Sequence, residues 1–152
     1  MNKIFDEICE KISSVKKNII LIGIDGRCAS GKTTLANALA EKFDCNVFHT
    51  DDFFLPFGMR TAERYAEAGG NIHYERLREE VIAPLLKGEK LSYGVFSCFE
   101  GKITHYSAVT KKRINIIEGA YSLHPYFGDI YDIKIFCDCE LKERMARIEA
   151  RN

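Results

Sequence analysis

No net charge distinguishes this 152-residue chain: Lys plus Arg and Asp plus Glu each number 22. Without a global positive field, only a local basic patch could hold a nucleic-acid backbone. No apolar run approaches the ~20 residues needed to span a bilayer. The opening Met1-Asn2-Lys3-Ile4-Phe5-Asp6-Glu7 has charge on both sides of its apolar residues and lacks a secretory hydrophobic region. These absences predict a cytoplasmic protein with neither a membrane nor a nucleic-acid partner. The cysteines, at 9, 28, 45, 98, 137 and 139, include no C-x-x-C pair. The close pair Cys137-x-Cys139 has no following histidine pair, so the thiols are expected to be buried or half-buried rather than metal-ligating. Repeats, low-complexity tracts and linkers are missing too, and one domain over residues 1–152 is expected.

What is present suits a globular domain. Hydrophobic residues make up 46% and charged residues 29% of the chain, in the range of folded soluble proteins. Ile4, Phe5, Ile8, Ile12 and Val15 fall at helical spacing and predict an amphipathic helix over 2–16. The run Ile19-Ile20-Leu21-Ile22-Gly23-Ile24 predicts a strand buried on both faces. A glycine-rich turn then leads into helix-forming sequence from Lys32 to Ala40. Asn46 to His49 predicts a second strand, followed by Thr50-Asp51-Asp52. Residues 55–73, with Pro56, Gly58, Gly69 and Gly70, predict a long excursion of the kind that usually serves function. Tyr74 to Lys87 predicts a helix with Leu77, Val81, Leu85 and Leu86 inward and a kink at Pro84. Leu91 to Val109 predicts a hairpin turning at Glu100-Gly101. Ile114 to Ile117, ending at Glu118-Gly119, and Ile133 to Cys137 predict two more strands, and Leu141 to Arg151 a last helix. Strands alternating with helices imply an open, parallel α/β sheet.

Gly26, Arg27, Cys28, Ala29, Ser30, Gly31, Lys32 and Thr33 satisfy G-x-x-x-x-G-K-[ST], between a buried strand and a helix. The glycines let the backbone wrap a phosphate with its N–H groups inward, and the helix beginning near Lys32 and Thr34 adds its positive end. Lys32 supplies a full charge to the β- and γ-phosphates of ATP, and the Thr33 hydroxyl is suited to ligate Mg2+. A chance match on a structural turn is the competing reading, and the strand–turn–helix context weighs against it.

Asp51 and Asp52 follow one strand and Glu118 follows another. Ligands of open parallel sheets gather outside the carboxyl ends of the strands, so these acids are expected to face the phosphate loop. One carboxylate beside Mg2+ and ATP can orient or deprotonate an attacking hydroxyl, while a second holds the metal. Taken singly, each acid reads equally as a turn or strand terminator satisfied by backbone N–H groups. Arg144, Arg147 and Arg151 share one face of the last helix and can clamp phosphates. Glu140 and Glu143, each four residues before an arginine, leave simple surface pairing as an equal alternative.

Together these residues resemble the uridine kinase and phosphoribulokinase group of P-loop kinases, in order from about Ile19 to the last residue. The motifs are IGIDGRCASGKTTLA, HTDDFF after the second strand, GGNIHYERL in the excursion, IIEGAYSLHP after the fourth strand, and RMARIEARN at the end. The resemblance implies a P-loop NTPase three-layer α/β fold with a mostly parallel sheet and an inserted β-hairpin. It implies ATP and Mg2+ as cofactors. It also implies Asp51 as base toward the substrate hydroxyl and as a neighbour of the metal, with Glu118 near the metal. Arg144, Arg147 and Arg151 correspond to lid arginines, the last of them toward substrate. Tyr93 matches a base-stacking tyrosine. His73 stands where such kinases carry an acid for ribose hydroxyls, and Cys98 where they carry a base-reading histidine. Family members continue for several tens of residues past the lid helix, whereas this sequence stops at Asn152.

The expected activity is phosphorylation of a small-molecule hydroxyl, foremost the 5′-hydroxyl of uridine or cytidine. DDFF is also similar to the nicotinamide riboside kinases, which keeps that substrate open. A catalytically silent ATP-binding module and a switch NTPase acting on protein partners are the competing classes. Homo-oligomerisation stays open, and no role is read for His49, His105 or His124.

Overall fold

The computed structural model describes residues 2–138. The predicted last helix, with Arg144, Arg147 and Arg151, and Cys139 lie outside the described residues. In chain order the elements are α1 (Asn2–Ser14), β1 (Ile20–Gly26), α2 (Lys32–Lys42), β2 (Cys45–His49), a 3-10 turn (Thr50–Phe53), α3 (Ala62–Ala66), α4 (Tyr74–Leu77) and α5 (Ala83–Lys87). The hairpin β3 (Leu91–Ser97) and β4 (Lys102–Val109) follows, then β5 (Ile114–Glu118) and β6 (Ile133–Cys137). Among the described residues no helix is long and apolar enough to cross a membrane.

Four strands form one parallel sheet in the order β2-β5-β1-β6. Side chains of β1 alternate between its two faces, as the two-residue period of a strand requires. Ile20, Ile22 and Ile24 pack with Cys9 and Ile12 of α1 and Ala36 and Leu39 of α2. Leu21, with Phe48 and Ile117, packs under Phe53, Leu77, Val81, Ile82 and Leu85 on the opposite face. This gives the three-layer α/β architecture expected from the alternation of elements. β3 and β4 form a separate antiparallel ribbon, as the inserted hairpin requires.

The helical stretch from Tyr74 to Lys87 departs from expectation. In place of a kink at Pro84, residues Arg78–Ile82 widen into a π turn in which the Ala83 N–H reaches the Arg78 carbonyl. Proline has no N–H and its ring crowds the carbonyl four residues back. The extra residue in the preceding turn relieves that conflict within a continuous helical path. Ile82 is buried on this face while Leu86 is exposed, the reverse of the expectation for position 86.

The cysteines also differ from expectation. Cys9 and Cys45 are buried and Cys137 is intermediate, but Cys28 and Cys98 are exposed. Both exposed thiols sit on turns, one in the phosphate loop and one at the hairpin tip. A turn has one side in solvent, and apolar character in a small side chain does not overcome that.

The excursion is a folded cap. Arg64 stacks 3.9 Å over the Tyr74 ring, pairs with both oxygens of Glu75 at 2.7 Å, and donates to the Gly70 and Ile72 carbonyls. A Cβ at Gly70 would lie 1.8 Å from the Arg64 carbonyl oxygen, so the Gly69-Gly70 pair permits this close return of the chain.

Candidate active site

At the carboxyl ends of the strands, residues 28–34 wall a cleft of about 170 Å3 together with Asp51, Glu118, Gly119 and Ala120. The loop that leads into it depends on close backbone approaches. Gly26 has φ 151°, and a Cβ there would lie 2.3 Å from the Cys137 carbonyl oxygen. Gly31 precedes α2 with φ 98° and no side chain caps that helix, so the first N–H groups of α2 face the loop. Lys32 folds over the loop and donates to the Gly26 and Arg27 carbonyls at 2.9 and 2.7 Å.

The loop is tied to the opposite wall through Asp25. Its carboxylate accepts from the N–H groups of Gly26 at 2.6 Å, Tyr121 at 3.0 Å and Leu123 at 3.0 Å. Asp25 therefore joins the start of the phosphate loop to the turn after β5. This residue was missed at the sequence level, because its partners lie nearly a hundred positions away.

Asp51 and Asp52 separate. Asp51 is exposed and lines the cleft. Asp52 is half-buried, and burial raises its carboxyl above the ordinary range, against the opposing influence of His49 and then Arg76. The Arg76 guanidinium donates to the Asp52 backbone carbonyl at 2.8 Å.

Glu118 is buried at 5% exposure. Thr33 Oγ1 lies 3.3 and 3.4 Å from its two carboxylate oxygens, and His49 Nδ1 lies 2.5 Å from Oε1. The hydrogen bond to Glu118 raises the His49 imidazole above its usual value, chiefly and against partial burial. The His49 contact was not foreseen from the sequence. The composition of the cleft fits a magnesium–nucleotide: the Thr33 hydroxyl and Glu118 carboxylate are hard oxygen donors. Ser30 Oγ is buried in the loop without a hydrogen-bond partner among the described residues, as a group waiting for a phosphate oxygen would be.

Of the residues singled out for substrate, Asp51 lines this cleft, His73, Tyr93 and Cys98 do not, and Arg151 lies outside the described residues. His73 is half-buried, its backbone N–H bonded to the Phe53 carbonyl at 2.6 Å, and burial lowers its imidazole. Tyr93 is buried, stacked against Phe53 at 5.5 Å and edge-on to Phe48 at 5.6 Å. Cys98 is exposed at the hairpin tip. His124 joins the segment after β5 to the excursion: Nε2 meets the Ala68 carbonyl at 2.9 Å and the ring packs on Tyr74.

A second cavity, of about 280 Å3, lies near the opposite end of the strands, between Asn18, Leu85, Leu91, Val109 and Lys111–Arg113. Its polar groups are largely engaged by the fold itself. Arg113 donates to the Lys17 and Val15 carbonyls, and Lys112 pairs with Asp44 at 2.9 Å.

Known proteins resemble this chain over most of its length. It is 30% identical over 148 residues to a uridine kinase of Clostridium perfringens, covering 90% of this chain and 69% of that protein. It is 28% identical over 138 residues to uridine-cytidine kinase A of Dictyostelium discoideum, covering 86% of this chain. The chain spans 28% of the length of the Dictyostelium protein and 65% of a Clostridium novyi uridine kinase to which it is 30% identical. No protein-family model matches the chain. A solved structure of a possible uridine kinase from Bacillus stearothermophilus superposes with a TM-score of 0.77 at 22% identity, over 96% of this chain and 85% of that one. That likeness supports the fold.

Proposed function

The chain belongs to the uridine kinase family, and from that premise we propose that it transfers the γ-phosphate of ATP to a small-molecule hydroxyl, with the 5′-hydroxyl of uridine or cytidine as acceptor. The observation that carries this reading is the meeting of Asp51 and Glu118 with the phosphate loop in one cleft. A phosphate loop alone binds a nucleotide; two carboxylates from neighbouring strand ends add what transfer requires.

In this reading the loop N–H groups and Lys32 hold the phosphates, and the free Ser30 hydroxyl takes a phosphate oxygen. Thr33 and Glu118 would hold magnesium, which would supply positive charge to the phosphates. Asp51, exposed to the cleft, orients the acceptor hydroxyl and takes its proton. Arg144, Arg147 and Arg151, outside the described residues, are assigned to charge neutralisation on the resemblance.

A second reading, a kinase for a different hydroxyl compound such as nicotinamide riboside, draws on the hairpin. Tyr93 already stacks on Phe53 and meets Phe48 edge-on in the core, and Cys98 supplies no histidine for reading a pyrimidine edge. A site that lacks a polar contact satisfies different substrates.

The test is ADP release from Mg2+–ATP with uridine, cytidine, nicotinamide riboside, pantothenate and ribulose 5-phosphate. Release dependent on uridine or cytidine supports the first reading, and release with nicotinamide riboside alone supports the second. Silence across the panel with ADP binding intact rejects uridine, cytidine and nicotinamide riboside as acceptors.

A further inference from the structure

We propose that His49 is a positioning residue that holds the Glu118 carboxylate for the magnesium ion of the phosphate site. The inference rests on the kinase reading above and adds a residue to it.

β2 and β5 are adjacent and parallel, and their register pairs His49 directly with Glu118. Each is the last residue of its strand, so the two side chains leave the sheet together at the rim of the cleft. Glu118 is almost wholly buried. A carboxylate removed from water needs hydrogen-bond donors. Among the described residues two side chains reach it. Thr33 Oγ1, at 3.3 and 3.4 Å, is nearly equidistant from both oxygens and long for a hydroxyl–carboxylate bond. His49 Nδ1, at 2.5 Å, grips Oε1 alone.

A carboxylate oxygen accepts, so Nδ1 donates. That bond fixes rotation about the last bond of the glutamate side chain. It keeps both oxygens turned toward the Thr33 hydroxyl, the other hard oxygen donor in the cleft. Without it, a buried carboxylate with one long contact is free to swing. Ligands for a metal are generally oriented by such outer partners, whose loss weakens metal affinity or activity roughly 10–100-fold. His49 itself contributes no wall to the cleft and is partly open to solvent, at 39% side-chain exposure. Its replacement therefore leaves the sheet core untouched.

The experiment compares wild type, His49→Ala, His49→Asn and His49→Gln. Mn2+ binding in the presence of ADP is followed by electron paramagnetic resonance, and ADP binding without metal by calorimetry. The Mg2+ dependence of turnover is measured in parallel. His49→Ala is expected to weaken Mn2+ binding roughly 10–100-fold while metal-free ADP binding holds. His49→Asn, whose amide N–H falls where Nδ1 was, is expected to recover most of the loss. His49→Gln, which reaches past that point, is not. If His49→Ala fails to fold, the Asn and Gln pair decides the question. Wild-type Mn2+ affinity in His49→Ala, equal losses in Asn and Gln, or a parallel loss of metal-free ADP binding would overturn the proposal. So would a wild-type protein whose ADP binding ignores metal. Metal-dependent ADP binding with no acceptor-dependent ADP release would instead overturn the kinase reading alone.

Discussion

Gly119 and Thr50 sit so close that a Cβ on residue 119 would fall 2.0 Å from Thr50 Oγ1. The contact joins the turn that carries Asp51 to the turn that follows Glu118. Gly119 also has φ 133°, a backbone region that side chains other than glycine rarely enter, and its N–H is bound to the Ile24 carbonyl at 3.0 Å. The two acidic strand ends can approach one another because position 119 carries no side chain.

Gly119→Ala is therefore expected to destabilise the protein by about 1–3 kcal/mol, the usual cost of forcing an extra carbon into a packed contact. The same substitution separates the two walls of the cleft and weakens ADP binding. Urea unfolding and calorimetry measure the two effects. An unfolding midpoint equal to that of wild type would show that the two turns part freely, and the geometric account of Glu118-Gly119 would be wrong.

Asp51→Asn keeps the size of the side chain and removes its basicity. Turnover is expected to fall by about 100- to 10,000-fold, as for loss of a general base, with ADP affinity close to wild type. Asp52→Asn is expected to lower turnover far less, because Asp52 does not line the cleft. Steady-state kinetics on the pair checks both. Equal effects would mean that the adjacent acids act as a unit, and Asp51 would lose its separate role.

Local signals made the sheet and the loop legible. β1 announced itself as an uninterrupted apolar run, and the G-x-x-x-x-G-K-T spacing lies within eight consecutive residues. Glu118-Gly119 was readable because it ends an apolar strand. The His49–Glu118 contact was not readable in the same way. It requires β2 to lie beside β5 rather than beside β1, and strand order in a parallel sheet follows from crossovers, not from the strand's own residues. Asp25 was hidden for the same reason, since its partners Tyr121 and Leu123 are brought near only by the sheet. The alignment of Tyr93 with a base-stacking tyrosine came from a motif, which cannot show that Phe48 and Phe53 already occupy its ring. At Pro84 the sequence marked the disturbance but not its form. Whether the helix bends or widens depends on the packing of Val81 and Ile82 around it.

Arg64 and Glu75 set a pH dependence of stability. The hydrogen bonds from Arg64 are the main reason that the Glu75 carboxyl lies below its ordinary 4.5 in the folded protein. Folding thus favours the ionised form. That contribution is fully present above the ordinary value and is lost as pH falls through the lower, folded value. Glu75 is partly exposed, so solvent screening keeps the contribution modest. Glu75→Gln is expected to be less stable than wild type near neutrality, with the difference shrinking as the solution is acidified. Urea midpoints across the acidic range measure this. A difference that stays constant with pH would assign the effect to packing over Tyr74 instead of to the ion pair.

Arg76 ties three pieces of the molecule to one buried guanidinium. It donates to the Gly94 carbonyl of the hairpin at 2.7 Å and to the Asp52 carbonyl at 2.8 Å. It pairs with Glu80 at 3.2 Å, which in turn accepts from the Gly94 N–H at 2.8 Å, and it lies 4.3 Å over the Phe53 ring. Removing the guanidinium strands the buried Gly94 carbonyl and takes one donor from the part-buried Glu80, so Arg76→Met is expected to cost about 1–3 kcal/mol. Arg76→Lys keeps the charge but cannot span the Gly94 and Asp52 carbonyls with one planar fork, and is expected to recover only a minor part. Because the hairpin and the Asp51-Asp52 turn share this anchor, both variants are also expected to lose hydrogen-exchange protection in β3 before the parallel sheet opens. Exchange measured residue by residue distinguishes this from a uniform loss of stability: protection falling equally in β1 and β3 would show that the hairpin is held by its apolar contacts and that Arg76 is not its anchor.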